Sequence, residues 1–248
     1  MKKSNYSYIG IAFIILLFGI IFVPKIVDRI KNKDVTRDGS RSFDVSKETF
    51  TKVASDLEYL VINGNRKKVP EFSFIDQNGK TITNKDYLGK VYIVEFFFTT
   101  CPTICPRMNR NLVSIQDKLK DLNEFKDFGV ASFSIMPETD TPEVLKTYAD
   151  NYGVENPNWH MLTGKSKYEV YDLSNVGFNI FVDTENFEHS GDFALVDKQG
   201  YLRSRKDNFG NPKIFYKGII SEQEKIDEDG NEQEITMLVE DIKSLLKE

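Results

Sequence analysis

VYIVEFFFTTCPTICPRMNRNLVSIQDKL, residues 91–119, is the stretch on which the fold turns. Residues 91–98 are β-branched and aromatic and almost continuously apolar, as in a central strand covered on both faces. Met108, Leu112, Ile115, Leu119 and Leu122 then recur at spacings of 4, 3, 4 and 3, which predicts one buried face of a helix. Pro106 fits the first helical position, where a missing N–H costs nothing. The unit is strand, cysteine-bearing loop, helix.

Similar units follow downstream. Residues 130–135, VASFSI, read as a strand, and the next helix has Thr141 as its cap, Pro142 and Glu143 in its first turn and Gly153 after its end. Residues 159–164 read as another strand and 166–173 as a short helix. Residues 193–196 and 201–205 flank Asp197-Lys198-Gln199-Gly200, a hairpin signal. Ile235, Leu238, Val239, Ile242, Leu245 and Leu246 form the stripe of a last helix. Upstream, Phe72, Phe74 and Ile82 suggest short strands around the turn at Asn78-Gly79, and a short helix is expected over residues 50–60. Strands alternating with helices, with a late hairpin, give an α/β sandwich of thioredoxin type.

The chain has 248 residues and a net charge of -5, from 33 basic and 38 acidic residues. Without a clustered basic excess, a broad nucleic-acid footprint is not expected. Residues 221–234 hold seven acids and one base, so this segment alone carries -6 and the rest of the chain sums to +1. It reads as a solvated loop, with partner docking as the minor alternative.

Between Lys3 and Lys25 lie 21 uncharged residues with an apolar centre from Ile9 to Val23. At about 1.5 Å per residue this length just crosses a hydrocarbon core of roughly 30 Å. No small-x-small cleavage pattern follows Val23, so an uncleaved anchor is preferred to a cleaved signal peptide. The expected organisation is an anchor over 1–24, a charged juxtamembrane tether over 25–68 and one domain over 69–248. Lys25, Arg29, Lys31, Lys33 and Arg37 outnumber Lys2 and Lys3, and a literal positive-inside count would put the domain in the cytoplasm.

Only two cysteines occur, Cys101 and Cys105, which rules out a disulfide-stapled scaffold and a four-sulfur zinc site. The pair precedes a helix N-terminus, where backbone N–H groups favour a thiolate. Two such thiols can close a disulfide or grip a soft cation such as Cu(I) or Zn. Inert core cysteines are the bland alternative, disfavoured by a proline after each. Zinc held by both cysteines and both histidines matches no finger spacing. His160, between Trp159 and Met161 in an apolar strand, reads as a packing residue with one satisfied nitrogen. His189, in a polar stretch before the strand FALVD, could close over the cysteines as a third ligand; spacing alone leaves this open.

FFFTTCPTICPRMNRNL, SIMPETDTPEVLKTYADNYG, NWHMLTG and EHSGDFALVDKQGYLR together resemble the SCO/SenC family of membrane-anchored, thioredoxin-like copper proteins across roughly residues 70–205. Position by position, the resemblance implies copper thiolates at Cys101 and Cys105 and a histidine ligand at His189. It implies Cu(I), with Cu(II) as a second state, and delivery to the copper-bearing subunit of cytochrome c oxidase or another copper protein. It also implies an N-terminal anchor with the domain on the extracytoplasmic, periplasmic side, which is preferred here to the charge count. Two departures stand out: Met136 occupies the aspartate position of an S-x-D-P stretch, and Glu188 precedes the histidine where aspartate is common. Met136 offers a thioether but reads first as packing. The alternative function is a membrane-anchored thiol–disulfide oxidoreductase with Cys101 and Cys105 as the redox pair. Its C-x-x-x-C loop is one residue longer than the usual redox motif. A peroxidase ranks third, since nothing beyond the thiols marks a peroxide site.

Overall fold

A computed structural model describes residues 15–18, 20, 57–183, 188–206 and 210–248. The chain divides into two compact units, residues 1–51 and 52–248. In the first, residues 15–18 are helical, and Ile15, Leu16, Leu17, Phe18 and Ile20 are exposed. Among the described residues no helix is long and apolar enough to cross a membrane. The rest of the segment expected as an anchor, and most of the tether, lie outside the described residues.

The second unit is built on a mixed sheet. Its strands are β1 (Glu58–Tyr59), β4 (Ser73–Asp76), β5 (Thr81–Thr83), β6 (Val91–Phe97), β7 (Phe128–Ser134), β8 (Trp159–Thr163), β11 (Asp192–Val196) and β12 (Leu202–Ser204), in the spatial order β1-β12-β11-β6-β7-β8-β4-β5. Small hairpins are made by β2 (Val61–Ile62) with β3 (Asn65–Arg66), and by β9 (Val182–Asp183) with β10 (Glu188–His189). A further short strand, β13 (Tyr216–Lys217), pairs with β11. β6, β7 and β8 are parallel, in register from Val91↔Phe128 to Phe97↔Ser134. Every residue of β6 and β7 is buried, as a strand covered on both faces requires.

The helices are α1 (Ile104–Leu119), α2 (Pro142–Tyr152), α3 (Lys167–Tyr171) and α4 (Ile235–Lys247), with a π-helical turn over Asp172–Phe178 after α3. Met108, Leu112, Ile115 and Leu119 of α1 are all buried, as their spacing predicts. α4 packs on α1 and β6, and α2 on β8. Thr141 accepts the Val144 N–H and Gly153 ends α2 at φ 77°, a left-handed conformation that glycine adopts without a Cβ clash.

Three expectations change. α1 begins at Ile104, so Pro106 is its third residue and Cys105 sits in its first turn; the helix N-terminus has room for proline there because its N–H groups lack intrahelical acceptors. No helix covers the described end of residues 50–60. Glu58–Tyr59 is an edge strand paired with Ser204 and Arg203, so the folded domain reaches upstream of residue 69. Tyr59 is clamped between the guanidinium groups of Arg66 (3.9 Å) and Arg203 (4.2 Å), a cation–π sandwich built from distant residues. The acidic segment is also less solvated than its charge suggests. Glu222 pairs with Lys118, Glu224 with Arg107 at 2.9 Å, and Glu234 with Lys213. Two of these pairs tie it to α1.

Candidate metal centre

The C-terminal end of β6 runs into a tight turn in which the Cys101 N–H bonds the Phe98 carbonyl at 3.3 Å. Cys101 follows this turn and Cys105 faces the core from the first turn of α1. Cys105 is fully buried and Cys101 nearly so. Burial alone would raise the Cys101 thiol, but the backbone N–H groups of Cys105 and Thr103 and their side chains more than offset it and hold it below its ordinary value. For Cys105, burial dominates and pushes the thiol far up, reinforced by negative charge on Cys101. The two sulfurs are therefore unequal: Cys101 ionises the more readily, while Cys105 is held as a neutral thiol.

His189 comes from β10, where it pairs with Val182 and is buried rather than exposed on a loop. Its Nδ1 lies 3.1 Å from the Ser190 carbonyl, which can only accept, so the ring proton belongs on Nδ1. Nε2 then carries a lone pair, and it lies 3.0 Å from Cys105 Sγ. Burial lowers the imidazole pKa and so favours the neutral ring; the Ser190 bond opposes this only in part. The Phe98 ring stands edge-on to it, centroids 6.0 Å apart. The ligand atoms of Cys101, Cys105 and His189 lie within 4.8 Å of one another. Two sulfurs and an unprotonated imidazole nitrogen, shielded from water, form a donor set suited to a soft cation.

The structure does not bring His160 to this cluster. Its Nδ1 bonds Asp76 Oδ2 at 3.0 Å and its ring packs against Tyr87, so the two-cysteine, two-histidine arrangement is not assembled. Met136 packs half-buried against the core, with Thr100 Oγ1 at 4.0 Å from its sulfur.

Of the buried acids, Glu95 and Asp140 have no charged partner among the described residues. Glu95, in the middle of β6, is wholly buried. Trp159 Nε1 donates to Ser132 Oγ (3.0 Å), which leaves the Ser132 proton to donate to Glu95 Oε1 (2.6 Å). Glu95 Oε2 has no partner among the described residues. Burial pushes this carboxyl up to about 8, with the Ser132 bond opposing. A carboxyl raised in the folded state stabilises it fully below its unfolded pKa, and that stability is lost as pH rises through about 8. Glu95→Gln is expected to flatten this loss, giving a higher urea midpoint than wild type at pH 8; an unchanged pH dependence would contradict it.

A model of the SCO1/SenC family matches residues 62–222. The SCO1 protein homolog of Bacillus subtilis is 36% identical over 159 residues, covering 62% of this chain and 80% of its own. The solved structure of BsSco, a member of the Sco family of cytochrome c oxidase assembly proteins in which a disulfide switch was identified, superposes with a TM-score of 0.57 at 31% identity, covering 73% of this chain and 94% of that one. Arabidopsis thaliana ScoI, solved with copper bound, gives a TM-score of 0.52 at 25% identity, covering 72% and 98%.

Proposed function

The chain belongs to the SCO1/SenC family, and from that premise we propose that it binds Cu(I) through Cys101, Cys105 and His189 and delivers it to a copper protein during cytochrome c oxidase assembly. The observation that carries the reading is the Nε2 lone pair of His189, held beside Cys105 Sγ by the Ser190 carbonyl. Fixing the tautomer through the other ring nitrogen is how ligating histidines are ordinarily oriented. Two thiolates and one imidazole suit Cu(I) and leave it short of four ligands, so an incoming thiol or imidazole can displace them stepwise. Cys101, the less buried sulfur, is the natural point of handover. Copper is cargo here rather than a resident cofactor. Oxidation of the two thiols to a disulfide, with the two electrons and two protons passing to a partner disulfide that becomes a dithiol, removes both sulfur ligands and ties loading to redox poise.

The recipient proposed is the copper-bearing subunit of cytochrome c oxidase or another copper protein. Residues 1–24 are proposed as a membrane anchor that keeps the domain on the extracytoplasmic side.

Cu(I) affinity is expected to fall on acidification. Burial keeps the Cys105 thiol protonated at neutral pH, so binding must expel that proton. The logarithm of apparent affinity should then rise by at least about one per pH unit across the neutral range. Competition with a chromophoric Cu(I) chelator at several pH values tests this in the reduced full chain, where one copper per chain is expected; no binding, or a flat profile, would contradict it.

The second reading is thiol–disulfide exchange. A thiolate at Cys101 attacks a partner disulfide to form a mixed disulfide and frees one partner thiolate. Cys105 then attacks Cys101 as Nε2 of His189 takes its proton, and the second partner thiol leaves. The 3.0 Å Cys105–His189 contact favours this reading as well.

A further inference from the structure

Asp140 is a wholly buried acid whose partners are all uncharged. Its Oδ1 accepts from Thr99 Oγ1 at 2.6 Å, and its Oδ2 accepts from the Thr99 N–H at 3.1 Å and from Ser134 Oγ at 2.6 Å. Ser134 Oγ in turn accepts the Met136 N–H at 3.1 Å, and the Asp140 N–H closes a turn on the Met136 carbonyl at 2.9 Å. One carboxylate thus joins three segments: the residue leaving β6, the last residue of β7 and the entry to α2. Burying a carboxylate without a cation is costly, and charge-assisted bonds from several donors are what compensate it.

Thr99 is the first central residue of the turn that the Cys101 N–H closes on Phe98. Both of its polar groups available on that side, N–H and hydroxyl, go to Asp140. We propose that Asp140 is a positioning residue for the copper site, latching Thr99 so that the turn delivers the Cys101 sulfur to the N-terminus of α1 beside Cys105 and His189. The inference rests on the proposed copper function for one of its two consequences only. The other, the geometry of Cys101–Cys105 disulfide closure, holds without copper.

The test uses the purified full chain in detergent, with Asp140→Asn, Thr99→Val and the conservative Thr99→Ser. Cu(I) affinity is read by chelator competition, and the dithiol–disulfide equilibrium in dithiothreitol buffers. Asn replaces one carboxylate oxygen by an N–H donor and removes the charge that strengthens all three bonds, and Val removes the hydroxyl bond. Both are expected to weaken Cu(I) binding by about tenfold, in the range typical of groups that orient ligands. Both should shift the equilibrium by about threefold or more towards the dithiol, because a loosened turn lowers the encounter of the two sulfurs. Thr99→Ser, which keeps the hydroxyl, should stay within about twofold of wild type on both. If folded Asp140→Asn and Thr99→Val match wild type in both measurements, or Thr99→Ser fails as badly as Thr99→Val, the proposal is wrong. Should Asp140→Asn fail to fold, Thr99→Val decides. If wild type itself binds no copper, the proposed function falls, and the dithiol equilibrium alone decides the role of Asp140.

Discussion

Cys105→Ser is expected to lower the Cu(I) affinity of the reduced chain by about a hundredfold or more, equivalent to about 2.8 kcal/mol. Cys105 is the sulfur in contact with His189 and the one most withdrawn from water, so it anchors the proposed trigonal set. Serine offers a hard, protonated oxygen in its place, which Cu(I) does not favour. The fold should survive, because a serine hydroxyl can still donate to Nε2 of His189, as the thiol now can. The loss should therefore appear in chelator competition with little change in the thermal melt. A Cys105→Ser chain that keeps wild-type copper affinity would remove the anchor from the account.

His189→Ala is expected to reduce affinity by about 10- to 100-fold, at least as much as losing a group that merely orients a ligand. It removes the only nitrogen in the cluster and the edge-on partner of Phe98, and leaves the Cys105 thiol without an acceptor at 3.0 Å. This variant also separates the two functional readings. With copper as the role, the Cys101–Cys105 disulfide should still form and be reduced while copper affinity falls. If copper affinity stays and resolution of mixed disulfides slows instead, His189 serves as a base for Cys105 and the oxidoreductase reading takes its place.

How far each part was legible follows from whether its cause is local. The apolar run of residues 91–98 and the 4, 3, 4, 3 spacing after it are local signals, and β6 and α1 follow from them. Thr141, Pro142 and Gly153 bracket α2 for the same reason: cap, first turn and left-handed terminus each need only their neighbours. β1 and the β9–β10 hairpin are two residues per strand, too short for any periodicity. Tyr59 is fixed by Arg203, which no pattern around residue 59 announces. The same holds at the site. The turn and helix that carry both cysteines could be read directly, but 84 positions separate Cys105 from His189, and only the resemblance joined them. The burial of Glu95 is implicit in a strand covered on both faces, but its donor Ser132 comes from another strand; Asp140 carries no such signal, and Thr99, 41 positions away, joins it only in the fold.

The most direct test of the central claim is X-ray absorption at the copper edge on the reduced full chain loaded with one equivalent of Cu(I). A three-coordinate ion with two sulfur neighbours and one nitrogen is expected, the nitrogen being lost in His189→Ala and one sulfur in Cys105→Ser. A copper shell that keeps its ligands in both variants, or a preference for zinc with four ligands, would contradict it.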